Sequence, residues 1–210
     1  MNILNIIAHP DFSNPNRTAN QLANAGLNKI AQLENAQITT FNLYDPDFHL
    51  PQISAETLNV RDPALMSDKQ KHDYTQQRKL LAAWKAADWI FIYAPIHNFN
   101  VPARLKDFFD NVLIIGETFA FIPQGYQGLM SDKTKVTAVL TSGSDFSTDF
   151  RYQTLDIAPQ FLRVTLHNMG INHMKLIRAQ GLDIQGNDKS ALIEQAKNEL
   201  YQQIDHLNGL

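Results

Sequence analysis

The chain of 210 residues contains no cysteine. Disulfides, thiolate nucleophiles and cysteine-based metal sites are therefore excluded, and the chain suits a reducing compartment. No apolar run approaches the roughly 18 residues that a membrane-spanning helix needs. The chain also enters a strand-like segment at once, with no charged leader or cleavage site before it, which predicts a cytoplasmic protein. Like charges form no block and the formal net charge is −3. Electrostatic capture of nucleic acid or of an acidic membrane is not expected. The seven histidines show no His-Glu-x-x-His or other paired spacing, so no metal site is expected. The dinucleotide Gly-x-Gly-x-x-Gly and Walker spacings are missing, and Ser142 and Ser144 lack a nucleophile-elbow context, which sets hydrolase chemistry aside. No internal repeat or low-complexity tract breaks the chain.

What remains is a globular composition, 44% apolar and 19% charged, long enough to bury a full core and read as one domain over 1–210. The most informative stretch runs from Trp89 to Ala94, an unbroken apolar segment of β-branched and aromatic side chains. Such a run, without alternation, marks a strand buried on both faces. It ends at Pro95, which cannot donate to a sheet ladder. A polar-aromatic turn follows, Ile96-His97-Asn98-Phe99-Asn100, and Pro102 pre-sets φ for the first turn of a helix over 103–112. Further strands are expected at 2–8, 36–42, 135–141 and 172–179. Helices are expected at 19–33, 67–87 with Ser67 as N-cap, 152–169 despite Pro159, and 189–207. A hairpin or extended excursion covers 116–130. The long stretch 43–66, with Pro46, Pro51 and Pro63, reads as a lid or partner-contacting segment, or else as a plain surface excursion.

Five parallel strands alternating with helices make a doubly wound α/β domain, whose ligand belongs over the carboxyl ends of the strands. Three loops converge there. Loop 9–18 opens onto a helix N-terminus and carries Asn14, Asn16, Arg17 and Thr18 as donors. It suits either a phosphate or a simple N-capping turn. Loop 95–100 offers an aromatic ring and amides to a planar heterocycle. Loop 141–145, Thr141-Ser142-Gly143-Ser144-Asp145, has small residues past which a ligand can lie flat. A mononucleotide with a large ring fits this division, and flavin mononucleotide (FMN) is the obvious candidate.

The motifs Ala94-Pro-Ile-His-Asn-Phe-Asn100, Leu105-Lys-Asp-Phe-Phe-Asp110, Gly116-Glu-Thr-Phe119 and Gly125-x-x-Gly-Leu129 together resemble the flavin-dependent NADH azoreductase and NAD(P)H:quinone oxidoreductase family. The opening Ala8-His9-Pro10, followed by Asn16-Arg17, looks more like the quinone reductase branch. The resemblance spans nearly the whole chain in order. It implies a flavodoxin-like three-layer α/β/α fold, a homodimer, and NADH or NADPH as electron donor to quinone or azo acceptors; the azoreductase branch favours FMN, while the opening loop of the other branch keeps FAD open. It puts the flavin phosphate on Asn16, Arg17 and Thr18 with His9 nearby. It puts the ring against Pro95, Ile96, His97, Asn98 and Phe99, with Thr141, Ser142, Gly143 and Ser144 along its other polar edge. The azoreductase branch often carries tyrosine where this chain has His97.

Flavin carries the chemistry, and the protein binds and tunes it. Donor and acceptor would take the same place in turn, which predicts ping-pong kinetics. The backbone amides of 97–99 and the Asn98 side chain are candidates to stabilise charge on the reduced ring. His97 could protonate the acceptor, or offer only its backbone amide and point its ring elsewhere. Phe119, Phe121, Tyr126 and Phe161 could wall an acceptor pocket across a dimer interface, or belong to the core. Two alternatives stay open: a flavodoxin-type electron carrier, and a flavin-binding regulatory subunit without turnover.

Overall fold

The apolar run at 89–95 becomes the central strand. In the computed structural model, which describes residues 1–55, 63–148 and 150–209, β1 (Asn2–Ile7), β2 (Gln37–Asn42) and β3 (Trp89–Pro95) lie in one parallel sheet. The short strands β4 (Phe119–Ile122) and β5 (Gly125–Gly128) form a separate antiparallel hairpin. Strands β6 (Lys135–Thr141) and β7 (His173–Ala179) complete the main sheet, in the order β2-β1-β3-β6-β7. The reversal of strand order lies between β1 and β3, the position where doubly wound sheets bind ligands.

Alternation along β3 sorts its side chains to two sides. Trp89, Phe91 and Tyr93 stack at ring separations of 6.0 and 6.3 Å on one face, where α1 (Thr18–Ile30) supplies Leu22, Ala23 and Ile30. Ile90, Ile92 and Ala94 face the other side, against Leu80, Leu81 and Trp84 of α2 (Asp68–Ala86) and Leu105, Phe108 and Phe109 of α3 (Ala103–Val112). A single helical turn, α4 (Phe150–Gln153), precedes α5 (Ile157–Asn168), which joins the α2/α3 side. The closing helix α6 (Lys189–Asp205) packs beside α1. The result is three layers, α/β/α, with one apolar core on each face. Full burial of such side chains stabilises by about 1.5–3 kcal/mol each, which is why these two clusters set the fold. No helix among the described residues is long and apolar enough to cross a membrane.

Several sequence expectations shift in detail. The helix expected over 152–169 is broken at 154–156, and Pro159 stands in the first turn of α5 rather than mid-helix. A missing N–H is harmless there, because first-turn amides have no intrahelical partner. Pro102 occupies the N-cap of α3 with ψ 148°, one residue before the first helical turn. Ser67 caps α2 as expected, in a reciprocal capping box with Gln70. Of the 43–66 stretch, residues 56–62 lie outside the described ones. The rest is fastened down: His49 bonds Asp73 at 2.6 Å, Asn111 donates to the Pro51 carbonyl, and Arg104 to that of Phe48.

Candidate functional site

The sheet ladder runs one residue past each strand's carboxyl end, and this draws the three loops together. Ala8 N–H donates to Tyr93 O (2.9 Å), Ile96 N–H to Thr141 O (2.7 Å) and Ser142 N–H to Ala179 O (2.9 Å). His9, the 95–100 loop and the 141–145 loop therefore leave three adjacent strands side by side.

Loop 9–18 is built around two residues that sequence reasoning passed over. Asp11 accepts Asn14 Nδ2 at 2.9 Å and Arg17 Nε at 2.8 Å, and its own N–H donates to His9 Nδ1 at 3.0 Å. Asn20, buried on α1, donates to the carbonyls of Asp11 (2.9 Å) and Asn14 (2.8 Å). Arg17 stands at the N-cap and no side chain caps α1. The first helical bond is made by Gln21 N–H, so the amides of Thr18, Ala19 and Asn20 have no backbone partner among the described residues. Of the two sequence readings of this loop, the N-capping turn lacks its capping side chain. Hydrogen bonds from Arg17 and then Asn14 hold the Asp11 carboxyl below the usual carboxylate range. Burial, then the Arg17 charge, lowers His9 below the usual imidazole value.

Residues 97–100 form a tight turn closed from both sides, His97 N–H to Asn100 O (2.8 Å) and Asn100 N–H to His97 O (3.1 Å). Asn98 and Phe99 at its tip have φ of 48° and 68°. Asparagine tolerates this left-handed region, whereas for phenylalanine it is costly. The turn corrects one expectation: the His97 amide is used within the turn, while those of Asn98 and Phe99 have no backbone partner among the described residues. The His97 side chain is exposed and makes no hydrogen bond among the described residues. The Phe99 ring meets buried Phe146 edge-on at 6.2 Å, tying this turn to the third loop.

In the third loop the carbonyls point away from the site and into the 181–183 segment. Ser142, Gly143 and Ser144 accept from the amides of Leu182, Asp183 and Gly181, while the Ser142 hydroxyl donates to Ser144 O at 2.8 Å. A Cβ on Gly143 would fall 2.3 Å from an Asp183 carboxylate oxygen. The glycine thus makes room for Asp183 on one side of the loop. The amides of Gly143 and Ser144 have no backbone partner among the described residues.

Among the described residues a cavity of about 570 Å³ lies elsewhere, between α2, the end of α3 and the 113–119 turn. Of the residues expected at a site, Phe119 lines it, while none of those expected against the flavin does. Its charged side chains are already matched: Asp73 with His49, Arg78 with Glu117, and Asp110 with Lys106, each at 2.6 Å. The strand-end loops instead hold unmatched donors, and donors are what a phosphate and a polar ring edge require. Of the four aromatics expected at an acceptor pocket, Phe121 and Tyr126 are exposed on the hairpin, Phe119 is half-buried beside Phe121, and Phe161 packs on Phe109 at 5.8 Å.

Comparison with known proteins agrees with this geometry. An FMN-dependent NADH:quinone oxidoreductase of Lactiplantibacillus plantarum is 34% identical over 198 residues, covering 92% of each chain. One from Streptococcus agalactiae is 30% identical, covering 95% of each. The crystal structure of an FMN-dependent NADH-azoreductase from Bacillus anthracis, in complex with FMN, superposes with a TM-score of 0.91 at 25% identity, over 99% of both chains. A family model described as a flavodoxin-like fold matches residues 1–204, and to that family the chain belongs.

Proposed function

We infer that this chain is an FMN-dependent NADH:quinone oxidoreductase with azoreductase capacity. The observation that carries the reading is the set of unpartnered amides at the strand ends: Thr18, Ala19 and Asn20 on one side, Asn98, Phe99, Gly143 and Ser144 on the other. The relatives' names and the FMN-bound neighbour support the same cofactor and donor. They describe an enzyme, and nothing in the site favours the electron-carrier or regulatory alternatives.

The residues present fit FMN. The amides of 18–20, with Asn16, Arg17, Thr18 and His9, would hold the phosphate. Pro95, Ile96, His97, Asn98 and Phe99 would flank the ring, and Thr141, Ser142, Gly143 and Ser144 its polar edge. FMN, when bound, supplies a two-electron relay between NADH and the acceptor. Amides fixed in a closed turn and a tethered loop stabilise negative charge without having to reorganise. The exposed His97 imidazole would be the group to give a proton to a reduced quinone oxygen or azo nitrogen. Donor and acceptor use one opening, so initial-rate plots should be ping-pong.

The working unit is a homodimer of one-domain chains in the cytoplasm. Exposed apolar side chains on the hairpin (Phe121, 71%) and on α4 and α5 (Phe150, 80%; Val164, 62%) support a self-contact there. Light scattering on the eluting protein tests this, with a monomer at micromolar concentration as the contrary result. The function itself is tested by the absorption spectrum of the purified chain with FMN. Complete anaerobic bleaching by NADH and recovery with menadione or an azo dye support the enzyme. A bound flavin that NADH cannot bleach, or no flavin uptake, overturns it.

A further inference from the structure

Asp11 is an odd residue to find in an anion site. Its carboxylate lies beside the helix N-terminus that would receive the flavin phosphate, and like charges there repel. Yet four neighbouring groups are arranged around it. Arg17 gives it Nε at 2.8 Å and Asn14 gives it Nδ2 at 2.9 Å. Its carbonyl takes Nδ2 of buried Asn20, and its N–H donates to Nδ1 of His9. Two consequences follow from donor and acceptor chemistry. With Nε on Asp11, the guanidinium is fixed in orientation and both Nη groups make no hydrogen bond among the described residues, leaving a forked edge for an oxyanion. With Nδ1 acting as acceptor, neutral His9 must carry its proton on Nε2, so its outward nitrogen is a donor.

We propose that Asp11 is the positioning residue of the phosphate subsite: its carboxylate presents the Arg17 fork, and its backbone N–H sets His9 as an Nε2–H donor, without touching the ligand. This rests on the FMN reading of the site and names the side chain that organises it. The carboxylate's repulsion of phosphate is outweighed because the same charge immobilises the Arg17 guanidinium, which would otherwise have to be ordered on binding.

The opposing effects make the sign of one substitution decisive. FMN and riboflavin differ by the phosphate alone, so their affinity ratio isolates this subsite from general damage. The full-length chain, freed of co-purified flavin, is titrated with each by fluorescence quenching. D11N is expected to weaken FMN by about tenfold and leave riboflavin unchanged, the scale of one charge-assisted hydrogen bond. R17Q should show the same phosphate-specific loss, and D11N/R17Q no more than R17Q alone, since Asp11 acts through Arg17. Imidazole ¹⁵N spectra of the wild-type chain should report His9 protonated at Nε2. Tighter or unchanged FMN binding by D11N overturns the proposal, because repulsion then outweighs positioning. Equal weakening of both flavins overturns it too, reducing Asp11 to a folding role. Wild-type chain that binds neither flavin removes the cofactor reading itself, an outcome visible before any variant is made.

Discussion

Loops 9–18 and 141–145 present amides to the same place, but they are held in opposite ways. The first is tied from within: Asp11, Asn14, Arg17 and Asn20 are close in sequence and bond one another. The third is tied from outside, its three carbonyls taken by 181–183 and its glycine fitted to Asp183 some forty residues on. A locally closed loop needs little of the surrounding fold to take shape. A loop closed by a distant segment is correct only when β6 and β7 are already paired. The proposed phosphate end of the site should therefore be robust to changes in the sheet, and the proposed ring end sensitive to them.

The largest effect is expected where the internal tie is cut. Asn20→Ala removes the buried amide's hydrogen bonds to the carbonyls of Asp11, Phe12 and Asn14 and should lower stability by about 2–3 kcal/mol, with weaker FMN binding and intact riboflavin binding. Thermal melts and flavin titrations would show it. Gly143→Ala attacks the other loop by pushing a Cβ onto Asp183, at a cost of about 1–2 kcal/mol. Asp183→Gly in the same chain should restore most of that loss, whereas it should do nothing for Asn20→Ala. If it rescues both, the two loops are not independently held. Tyr93→Phe tests the floor they share: the hydroxyl is buried with no partner among the described residues. Its removal should raise stability by about 1 kcal/mol and leave both flavin affinities in place. The smallest effect is a slope. His9 is held below its ordinary value, so in the window between the two values the unfolded chain binds more protons than the folded one. Stability is full above the ordinary imidazole value and falls as pH drops through it. His9→Gln should flatten the melting temperature in that range.

The same contrast explains what the residues alone could tell. The β–α alternation was readable because buried parallel strands write themselves as unbroken apolar runs, Trp89 to Ala94 above all. Loops 9–18, 95–100 and 141–145 followed from that alternation, since chain direction fixes which strand ends carry them. Asp11 and Asn20 were missed although they lie within the first loop and its helix, because neither is of a type that marks a ligand contact. A search for side chains able to bond nearby carbonyls would have found Asn20. Asp183 had no local signal at all: its meaning depends on a glycine in another strand's loop. The break at 154–156 was hidden because 152–169 is apolar enough to read as one helix, while Pro159 looked like a mid-helix exception. The left-handed pair Asn98–Phe99 was equally silent, since no glycine announces it.

Gly26 acts as a gauge for the whole assembly. Its missing Cβ lets α1 rest on the Tyr93 ring, where any larger residue would meet the hydroxyl. Thr18 stands eight residues up the same helix, about 12 Å away at the ordinary rise per residue. The contact behaves as the fulcrum of a stiff rod whose far tip carries the amides proposed to hold the phosphate. A shim of one methyl group at the fulcrum would lift or tilt that tip while leaving every loop bond described above intact. How high the cofactor's anchor sits over the strand ends is thus set in the core, by the thickness of a single glycine.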